Sequence, residues 1–214
     1  LNEKQLEILN GSNPLIDGDY TVDIIAIDRA GNLSEINSIS FSLDTADPIM
    51  SDTFVSVFGT LEGDVIEVEG SRKLVFAGDG DDLIDLSQAT GDNRVLAGVG
   101  SDTIILGKGD RIFGEDGNDS IFATAKGNNI INGGSGEDQF WIATAQIPES
   151  ANIIDDFVIE EDIIGIAGLN LGFGDLTITD TEGGALISSP EGDLAILTNT
   201  TSESIASQNN FIFG

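Results

Sequence analysis

The 214-residue chain contains no cysteine and no histidine. Without cysteine it has neither disulfides nor thiol chemistry, and without histidine it lacks the commonest general base and a common zinc and copper ligand. Nucleophile motifs such as Gly-x-Ser-x-Gly are also missing. The adjacent acids Asp155 and Asp156 suggest acid–base chemistry, but acid runs are usually solvated or metal-bound. We therefore expect no enzyme activity from these residues.

Basic residues are scarce, and long apolar runs are missing. The chain has 8 Lys and Arg against 38 Asp and Glu, for a formal net charge of −30, and no basic residue follows Lys126. Such a surface repels nucleic acid and anionic lipid, so we expect neither as a partner. No run of about 18 apolar residues is present to span a membrane. Metal cations are the partners that this composition favours.

Glycine is abundant, with 27 residues, and it clusters in one repeated phrase. Each copy has a glycine-rich turn, an Asp at the sixth place and a bulky apolar residue at the eighth. We call these the strong copies: Ala77–Asp85, Ala97–Ile105, Gly114–Phe122 and Gly133–Trp141. A fifth and weaker copy, Gly59–Glu67, has Glu62 in place of the fourth-place glycine, and we count it with the strong copies from here on.

The phrase is the nonapeptide G-G-x-G-x-D-x-U-x of RTX (repeats-in-toxin) proteins. Over about residues 59–214, the chain resembles that family. The resemblance implies an all-β fold, a parallel β-roll that binds calcium between stacked turns. Repetition at a fixed period is typical of a solenoid, whose units bury their apolar faces against their neighbours.

The spacing of the strong copies indicates two nonapeptides per coil. The copies begin at positions 59, 77, 97, 114 and 133, so successive intervals are 18, 20, 17 and 19 residues. Weak copies fill the gaps: Val68–Phe76, Gln88–Leu96, Leu106–Phe113 and Thr124–Asn132. The strong turns should then stack along one edge of the roll, the acidic edge, and the weak turns along the opposite edge.

This stacking predicts two walls of buried apolar side chains. The eighth-place residues should form one wall: Ile66, Ile84, Ile104, Ile121 and Phe140. The weak copies should form the second wall: Val75, Val95, Ile112 and Ile131.

Calcium takes about six to eight oxygen ligands, more than one turn supplies but within reach of two stacked turns. We predict that carboxylates and turn carbonyls of the acidic edge hold about three to four Ca²⁺ ions. The predicted ligands are Asp64, Gly78, Asp79, Gly80, Asp82, Gly98, Val99, Gly100, Asp102, Glu115, Asp116, Gly117, Asp119, Gly134, Ser135, Gly136 and Asp138. Like charges on coils about 4.8 Å apart repel by roughly 3 kcal/mol at an effective dielectric of 20, so an empty acidic edge resists stacking.

Three sites should be well formed, between the turns that begin at 77 and 97, 97 and 114, and 114 and 133. A fourth, between the turns at 59 and 77, is weakened by Glu62. The alternative is a calcium-free solenoid whose Asp residues only cap turns.

The opposite edge has a different charge. It carries Lys73, Asn93 and Asn129 near the sixth place, and Asp110 is the one acid there. Six of the eight basic residues belong to the weak copies: Arg72, Lys73, Arg94, Lys108, Arg111 and Lys126. Two interpretations stay open. The basic edge docks an acidic polysaccharide, a use similar to that of the R-modules of alginate-modifying epimerases, or its bases offset neighbouring acids.

The remaining segments predict a larger extracellular protein. Residues 1–48 resemble the C-terminal part of a bacterial immunoglobulin-like repeat, through Asp17–Val22, Ala26–Asn32 and Phe41–Pro48. We assign 49–58 to a linker, 59–141 to the β-roll, and 142–214 to a β-rich capping and secretion region with a hairpin at Thr181–Gly184.

The RTX resemblance implies type I secretion through an uncleaved C-terminal signal. The tail Asn210–Gly214 is similar to the apolar ends of such signals. Because extracellular modules bind calcium with Kd near 10⁻⁴–10⁻³ M, we expect the chain to stay unfolded inside the cell and to fold outside it.

Overall fold

The computed structural model describes residues 18–24, 37–43, 54–123 and 126–214. The chain divides into two compact units, residues 1–53 and 54–214. In the first unit, β1 (Gly18–Ile24) pairs antiparallel with β2 (Asn37–Leu43). The turn and the residues at 44–48 that complete the immunoglobulin-like resemblance lie outside the described residues, so that resemblance stays a prediction.

Residues 54–214 form a parallel β-solenoid of about six turns, which confirms the predicted β-roll. Each coil gives one strand to each of two sheets. The nine-stranded sheet has the order β17-β18-β19-β15-β13-β11-β9-β6-β3. Its strands are β3 (Val55–Phe58), β6 (Lys73–Asp79), β9 (Arg94–Val99), β11 (Arg111–Asp116), β13 (Ile130–Ser135), β15 (Asn152–Ile154), β17 (Thr177–Thr181), β18 (Gly184–Ser189) and β19 (Gly192–Leu197).

The seven-stranded sheet has the order β20-β16-β14-β12-β10-β7-β4. Its strands are β4 (Val65–Glu67), β7 (Leu83–Asp85), β10 (Thr103–Ile105), β12 (Ser120–Phe122), β14 (Gln139–Thr144), β16 (Ile163–Ala167) and β20 (Phe211–Phe213). A short pair, β5 (Gly70–Ser71) and β8 (Ala89–Gly91), joins two weak turns of the opposite edge. Both sheets continue past Trp141 into the C-terminal region.

The two predicted apolar walls are present and in register. In the seven-stranded sheet, Ile84 pairs with Ile66 and Ile104, and Ile121 pairs with Ile104 and Phe140. In the nine-stranded sheet, Val75, Val95, Ile112 and Ile131 pair in succession. All nine side chains are buried. Since every coil repeats the same inward-facing position, the walls fix the register that stacks the turns.

The C-terminal region covers the last coil. β17 and β18 form the predicted hairpin around Thr181–Gly184, and β18 pairs antiparallel with β19. Phe173–Asp175 forms a 3₁₀ turn, in which the Asp175 carboxylate accepts the Gly172 N–H at 2.8 Å. The one α-helical turn described, α1, spans Ser202–Ile205. No helix among the described residues is long and apolar enough to cross a membrane.

Candidate metal centre

The sixth-place aspartates of the strong turns form a continuous ladder along the acidic edge. In each coil, Oδ1 of the ladder Asp accepts the main-chain N–H of the ladder Asp one coil earlier. The donor–acceptor distances are 2.7 Å for Asp64–Asp82, 2.8 Å for Asp82–Asp102, 2.9 Å for Asp102–Asp119, 2.8 Å for Asp119–Asp138 and 3.0 Å for Asp138–Asp162. The carboxylates therefore lie in one column, one for each coil.

The second oxygen of the central ladder residues has no partner in the described part of the chain. Oδ2 is buried and accepts no hydrogen bond there in Asp82, Asp102 and Asp119, and these side chains are at most 2% exposed. A buried ionised oxygen without a donor is strongly unfavourable unless a cation pairs with it. Free oxygens at the same place in three successive coils therefore fit a row of bound cations.

Burial changes the acidity of these carboxyls. Desolvation raises the pKa of Asp119 to about 7 and the pKa of Asp102 and Asp138 to about 6, against an ordinary value of 3.8. The ladder N–H bond opposes each shift, and the neighbouring carboxylates add to it by repulsion. Without a cation, burial therefore favours the neutral form of these groups. A bound divalent cation would have the opposite effect on the pKa of these carboxyls, because it favours the ionised form.

Glycines let the strong turns stack closely enough to surround an ion. A Cβ on Gly98, whose φ is +120°, would lie 1.8 Å from the carbonyl oxygen of Gly78 in the previous turn. A Cβ on Gly117, with φ +140°, would lie 1.7 Å from the Gly100 carbonyl oxygen. No side chain fits in either gap. At the acidic edge, each of these glycines is therefore packed directly against a backbone carbonyl of the previous turn.

The predicted ligands divide into two groups by the placement of their side chains. The ladder residues Asp82, Asp102, Asp119 and Asp138 are buried, and Asp64 is half-buried. The side chains at the other non-glycine positions are exposed, so these residues could contribute to a site between turns through their main-chain carbonyls: Asp79, Val99, Glu115, Asp116 and Ser135. Within the described ranges, no group of three acidic side chains converges on one point, so any site there depends on main-chain carbonyls.

Several of those carbonyls already accept one hydrogen bond across the turns. Gly80 N–H donates to Val99 O at 2.7 Å, Gly100 N–H to Asp116 O at 2.9 Å and Gly117 N–H to Ser135 O at 2.8 Å. A carbonyl oxygen has a second lone pair that remains available to a metal. These bonds also tie each turn to the next one.

The first strong turn differs from the others. Oδ2 of Asp64 accepts the Thr60 N–H at 2.6 Å and the Thr60 hydroxyl at 2.9 Å. The oxygen that is free in the next three rungs is therefore satisfied by Thr60. This difference adds to the missing glycine at Glu62 and makes the first turn the least suited to a cation.

Sequence reasoning missed two acids at the end of the ladder. Asp162 continues the column as a sixth rung, and its Oδ2 accepts the Val158 N–H at 2.7 Å. Asp156 accepts the N–H groups of Gly133 and Gly134 at 3.0 and 2.7 Å. Burial raises the pKa of both carboxyls. The sequence signal for Asp162 is the run Asp-Ile-Ile that it begins, which matches the sixth to eighth places of a strong copy. The glycines that precede the Asp in a strong copy are missing.

The opposite edge carries a ladder made mainly of amides. Oδ1 of Asn93, Asp110, Asn129 and Asn152 accepts the main-chain N–H of the previous coil at 2.9, 3.1, 2.9 and 3.1 Å. Nδ2 of Asn93 and of Asn129 donates to the next rung at 2.8 and 2.9 Å, bonds that no carboxylate could make. The Lys126 ammonium also donates to Ser87 O at 2.8 Å. Polar contacts therefore join the coils along this edge, and Asp110, its one acidic rung, has a buried Oδ2 without a partner among the described residues.

Comparison with known proteins identifies the repeats. A family model of four RTX calcium-binding nonapeptide repeats matches residues 89–121 and again 114–141. Residues 89–141 therefore match RTX calcium-binding nonapeptide repeats, as predicted. No curated protein matches the chain.

Two solved structures are similar to the chain. An extracellular lipase from Serratia marcescens matches with 14% identity and a TM-score of 0.28, over 75% of this chain and 40% of the lipase. A subunit of the Azotobacter vinelandii mannuronan C5-epimerase matches with 20% identity and a TM-score of 0.30, over 72% of this chain and 80% of that subunit. The chain thus spans less than half the length of the lipase.

Proposed function

We propose that this chain is a non-catalytic module that folds when extracellular calcium occupies the acidic edge, and that it supports the export and stability of a larger secreted or surface protein. One observation carries the proposal: the free, buried Oδ2 atoms of Asp82, Asp102 and Asp119 recur once per coil. Each successive pair of turns would hold one Ca²⁺ between two ladder carboxylates and the turn carbonyls. The ion would supply the positive charge that those oxygens lack.

The ladder geometry favours three ions between the turns that begin at 77, 97, 114 and 133. The pair of turns at 59 and 77 is less suited, because Thr60 already satisfies Asp64. Asp156 and Asp162 add carboxylates beside the last turn. Calcium would therefore bind along most of the roll and leave its first coil weak.

By mass action, calcium binding would add enough to the free energy of unfolding to act as a folding switch. At millimolar calcium and a Kd of about 10⁻⁴ M, each site adds roughly 1.4 kcal/mol to the free energy of unfolding. Three sites add about 4 kcal/mol, a large part of the net stability of an ordinary domain. At cytosolic calcium the contribution vanishes. The chain would thus remain unfolded and exportable inside the cell.

Circular dichroism and calorimetry test the folding switch directly. In chelator we expect a coil-like spectrum, and on adding calcium we expect a β-sheet spectrum with uptake of about three ions. Identical spectra in chelator and in millimolar calcium would overturn the proposal. Magnesium serves as the matched control, because this smaller ion requires octahedral coordination, which these carbonyl-rich turns are poorly suited to supply.

Export by a type I channel is a separate part of the proposal. The C-terminal residues Phe211–Phe213 form the last strand of the seven-stranded sheet, so the same segment would serve as signal before folding and as strand afterwards. Co-expression with a type I apparatus, with and without residues 210–214, tests this part. Equal amounts of both chains in the medium would reject the signal and leave calcium binding untouched.

A second candidate function is the binding of an acidic extracellular polysaccharide at the opposite edge. One observation favours it: Arg94 and Arg111 pair in register and line the same cavity. Retention of the calcium-loaded chain on an immobilised polyuronate, with no retention on a neutral glucan, is the expected result. Equal retention on both supports would exclude a role for the basic residues.

A further inference from the structure

Two arginines lie side by side on the opposite edge of the solenoid. Arg94 on β9 and Arg111 on β11 are directly paired in the parallel ladder, and both side chains are exposed. The flanking positions of the same row are apolar, Leu74 on one side and Ile130 on the other. Like charges directly opposite each other destabilise a strand pair, so the row carries an unfavourable juxtaposition.

Arg94 and Arg111 have no acidic partner among the described residues, although the chain is rich in acids. The chain has 38 acidic residues to 8 basic ones, yet neither Arg94 nor Arg111 makes an ion pair within residues 54–123 and 126–214. By contrast, Lys108 in the neighbouring weak turn pairs with Glu149 at 3.0 Å. Two guanidinium groups thus remain available for an anion that is not part of the described chain.

A cavity of about 230 Å³ brings these groups together with an aromatic ring. Its lining includes Phe54, Arg72, Asp92, Arg94 and Arg111. The guanidinium carbon of Arg94 lies 5.1 Å from the centre of the Phe54 ring, within cation–π range. The cavity is smaller than the 300–1,000 Å³ typical of drug-sized ligands. It therefore suits one charged group on one small ring.

We infer that the Arg94–Arg111 pair, with Phe54 beside it, binds the carboxylate of a uronic-acid unit. This inference rests on the second candidate function and names its site. The planar guanidinium fork matches a carboxylate through two parallel hydrogen bonds, and Phe54 offers an apolar face to the C–H groups of a sugar ring. Asp92 at the same cavity would accept from sugar hydroxyls and disfavours a dianionic phosphate.

Short uronate oligomers are the sharpest probe. A short oligomer experiences less of the general repulsion that the net charge of −30 exerts on a polyanion, and it sequesters less calcium. We would titrate the calcium-loaded chain with di- and trigalacturonate at a fixed free calcium concentration, and follow binding by calorimetry. Neutral malto-oligomers, inorganic phosphate and sulfate form the comparison arms. Binding of the uronates alone is expected, and equal binding of phosphate or sulfate would overturn the uronate assignment.

Substitutions locate the site. Arg94→Gln and Arg111→Gln should each weaken uronate binding by about tenfold or more, because each removes a charge-assisted bidentate contact. Lys108→Gln is the matched control, since it removes the same charge outside the cavity and should leave the affinity unchanged. An equal loss in all three variants, or no loss in the two arginine variants, would overturn the inference.

Stability separates ligand binding from a structural role. If the arginines only offset nearby acids, Arg94→Gln should lower the melting temperature of the calcium-loaded chain. If they form a binding pair, removing one of two facing like charges leaves the melting temperature unchanged or raises it. The calcium-induced spectrum, recorded on the same samples, reports separately on the folding proposal. Continued retention of the arginine variants on polyuronate would preserve the second candidate function and reject this site.

Discussion

The main-chain N–H of Asp102 donates to Oδ1 of Asp119 at 2.9 Å, while Oδ2 of the same Asp119 carboxylate is buried without a partner in the described chain. One side chain therefore performs two functions. Oδ1 holds the register of adjacent coils, and Oδ2 presents charge to the interior of the turn. An Asn at this position keeps an acceptor for the first function and removes the charge needed for the second.

Asp119→Asn should separate calcium binding from coil stacking. The turn of Asp119 borders two candidate calcium sites, one shared with the turn before it and one with the turn after it. We therefore expect calcium affinity at both sites to fall by about tenfold or more. Without calcium the variant should be at least as stable as the parent, since a buried carboxylate becomes neutral. Calorimetric titration measures the first effect, and the β-sheet signal in circular dichroism, recorded in chelator, measures the second.

Asp116→Asn provides the control for that comparison. The Asp116 side chain is exposed in the same turn, and its carbonyl is unchanged by the substitution. It should therefore bind calcium like the parent. A loss of affinity equal to that of Asp119→Asn would mean that the total charge of the turn, and not the ladder, determines binding.

Lowering the pH should stabilise the calcium-free roll, whereas it usually destabilises a fold whose carboxylates are paired. Burial raises the pKa of Asp102, Asp119 and Asp138 above the unfolded value of 3.8, to about 6 or 7. The folded state therefore binds protons more tightly than the unfolded state. The stability from protonation is complete below about pH 4 and is lost as the pH rises through 6 to 7.

The measurable result is acid-induced folding in chelator. At pH 5.5, above the sequence pI of about 4.1, the calcium-free chain should show more β-structure by circular dichroism than at pH 8. Calcium affinity should change in the other direction and weaken as the pH falls from 8 to 5.5, because protons compete for the same oxygens. A calcium-free β-sheet signal that rises from pH 5.5 to 8 would contradict this account.

Asp64→Asn should have little effect on calcium uptake. Both the Thr60 N–H and the Thr60 hydroxyl already occupy Oδ2 of Asp64. We expect the ion stoichiometry measured by calorimetry to match that of the parent. Loss of one ion in this variant would show that the first pair of turns does bind calcium, and that Thr60 yields its contact to the metal.

Close stacking of the turns makes glycine essential at Gly98. Gly98→Ala places a Cβ 1.8 Å from the Gly78 carbonyl oxygen and also imposes φ +120° on an L-residue. Gly70→Ala is the matched control, since its φ is +79° and no described atom lies within 4 Å of its Cβ. We expect Gly70→Ala to cost about 1 kcal/mol of unfolding free energy, and Gly98→Ala at least about 3 kcal/mol. Similar losses in urea unfolding would contradict the packed arrangement of the turns.

Much of the roll could be predicted because the sequence repeats with the period of its coils. Ile84 and Ile104 occupy the same place in consecutive copies, so their pairing follows from sequence spacing alone. The acidic column follows in the same way. The signal is strong because every coil repeats one turn, one carboxylate and one inward-facing side chain.

The parts that escaped prediction depend on contacts that no repeat encodes. Asp162 follows Asp138 by 24 residues, outside the 17 to 20 of the other rungs, and its turn lacks the glycines. The bond from the Thr60 hydroxyl to Asp64 occupies the oxygen that is free in the next rungs, which composition does not reveal. The arginine cavity needs side chains from three coils together with Phe54, so it became visible only in three dimensions.

The amide ladder of the opposite edge should not tolerate an added charge. Nδ2 of Asn129 donates to Asn152 Oδ1 at 2.9 Å and to Gly107 O at 3.3 Å, and its Oδ1 accepts the Asp110 N–H. Asn129→Asp keeps the acceptor, loses both donors and places a buried carboxylate beside Asp110. We expect a loss of about 2–4 kcal/mol in unfolding free energy at saturating calcium. Asn128→Asp makes the same chemical change at an exposed neighbouring position and should be nearly neutral. If Asn129→Asp instead gained a calcium ion and kept its stability in calorimetry and urea unfolding, the opposite edge would be a latent metal site, and its amides would not be needed to hold the coils together.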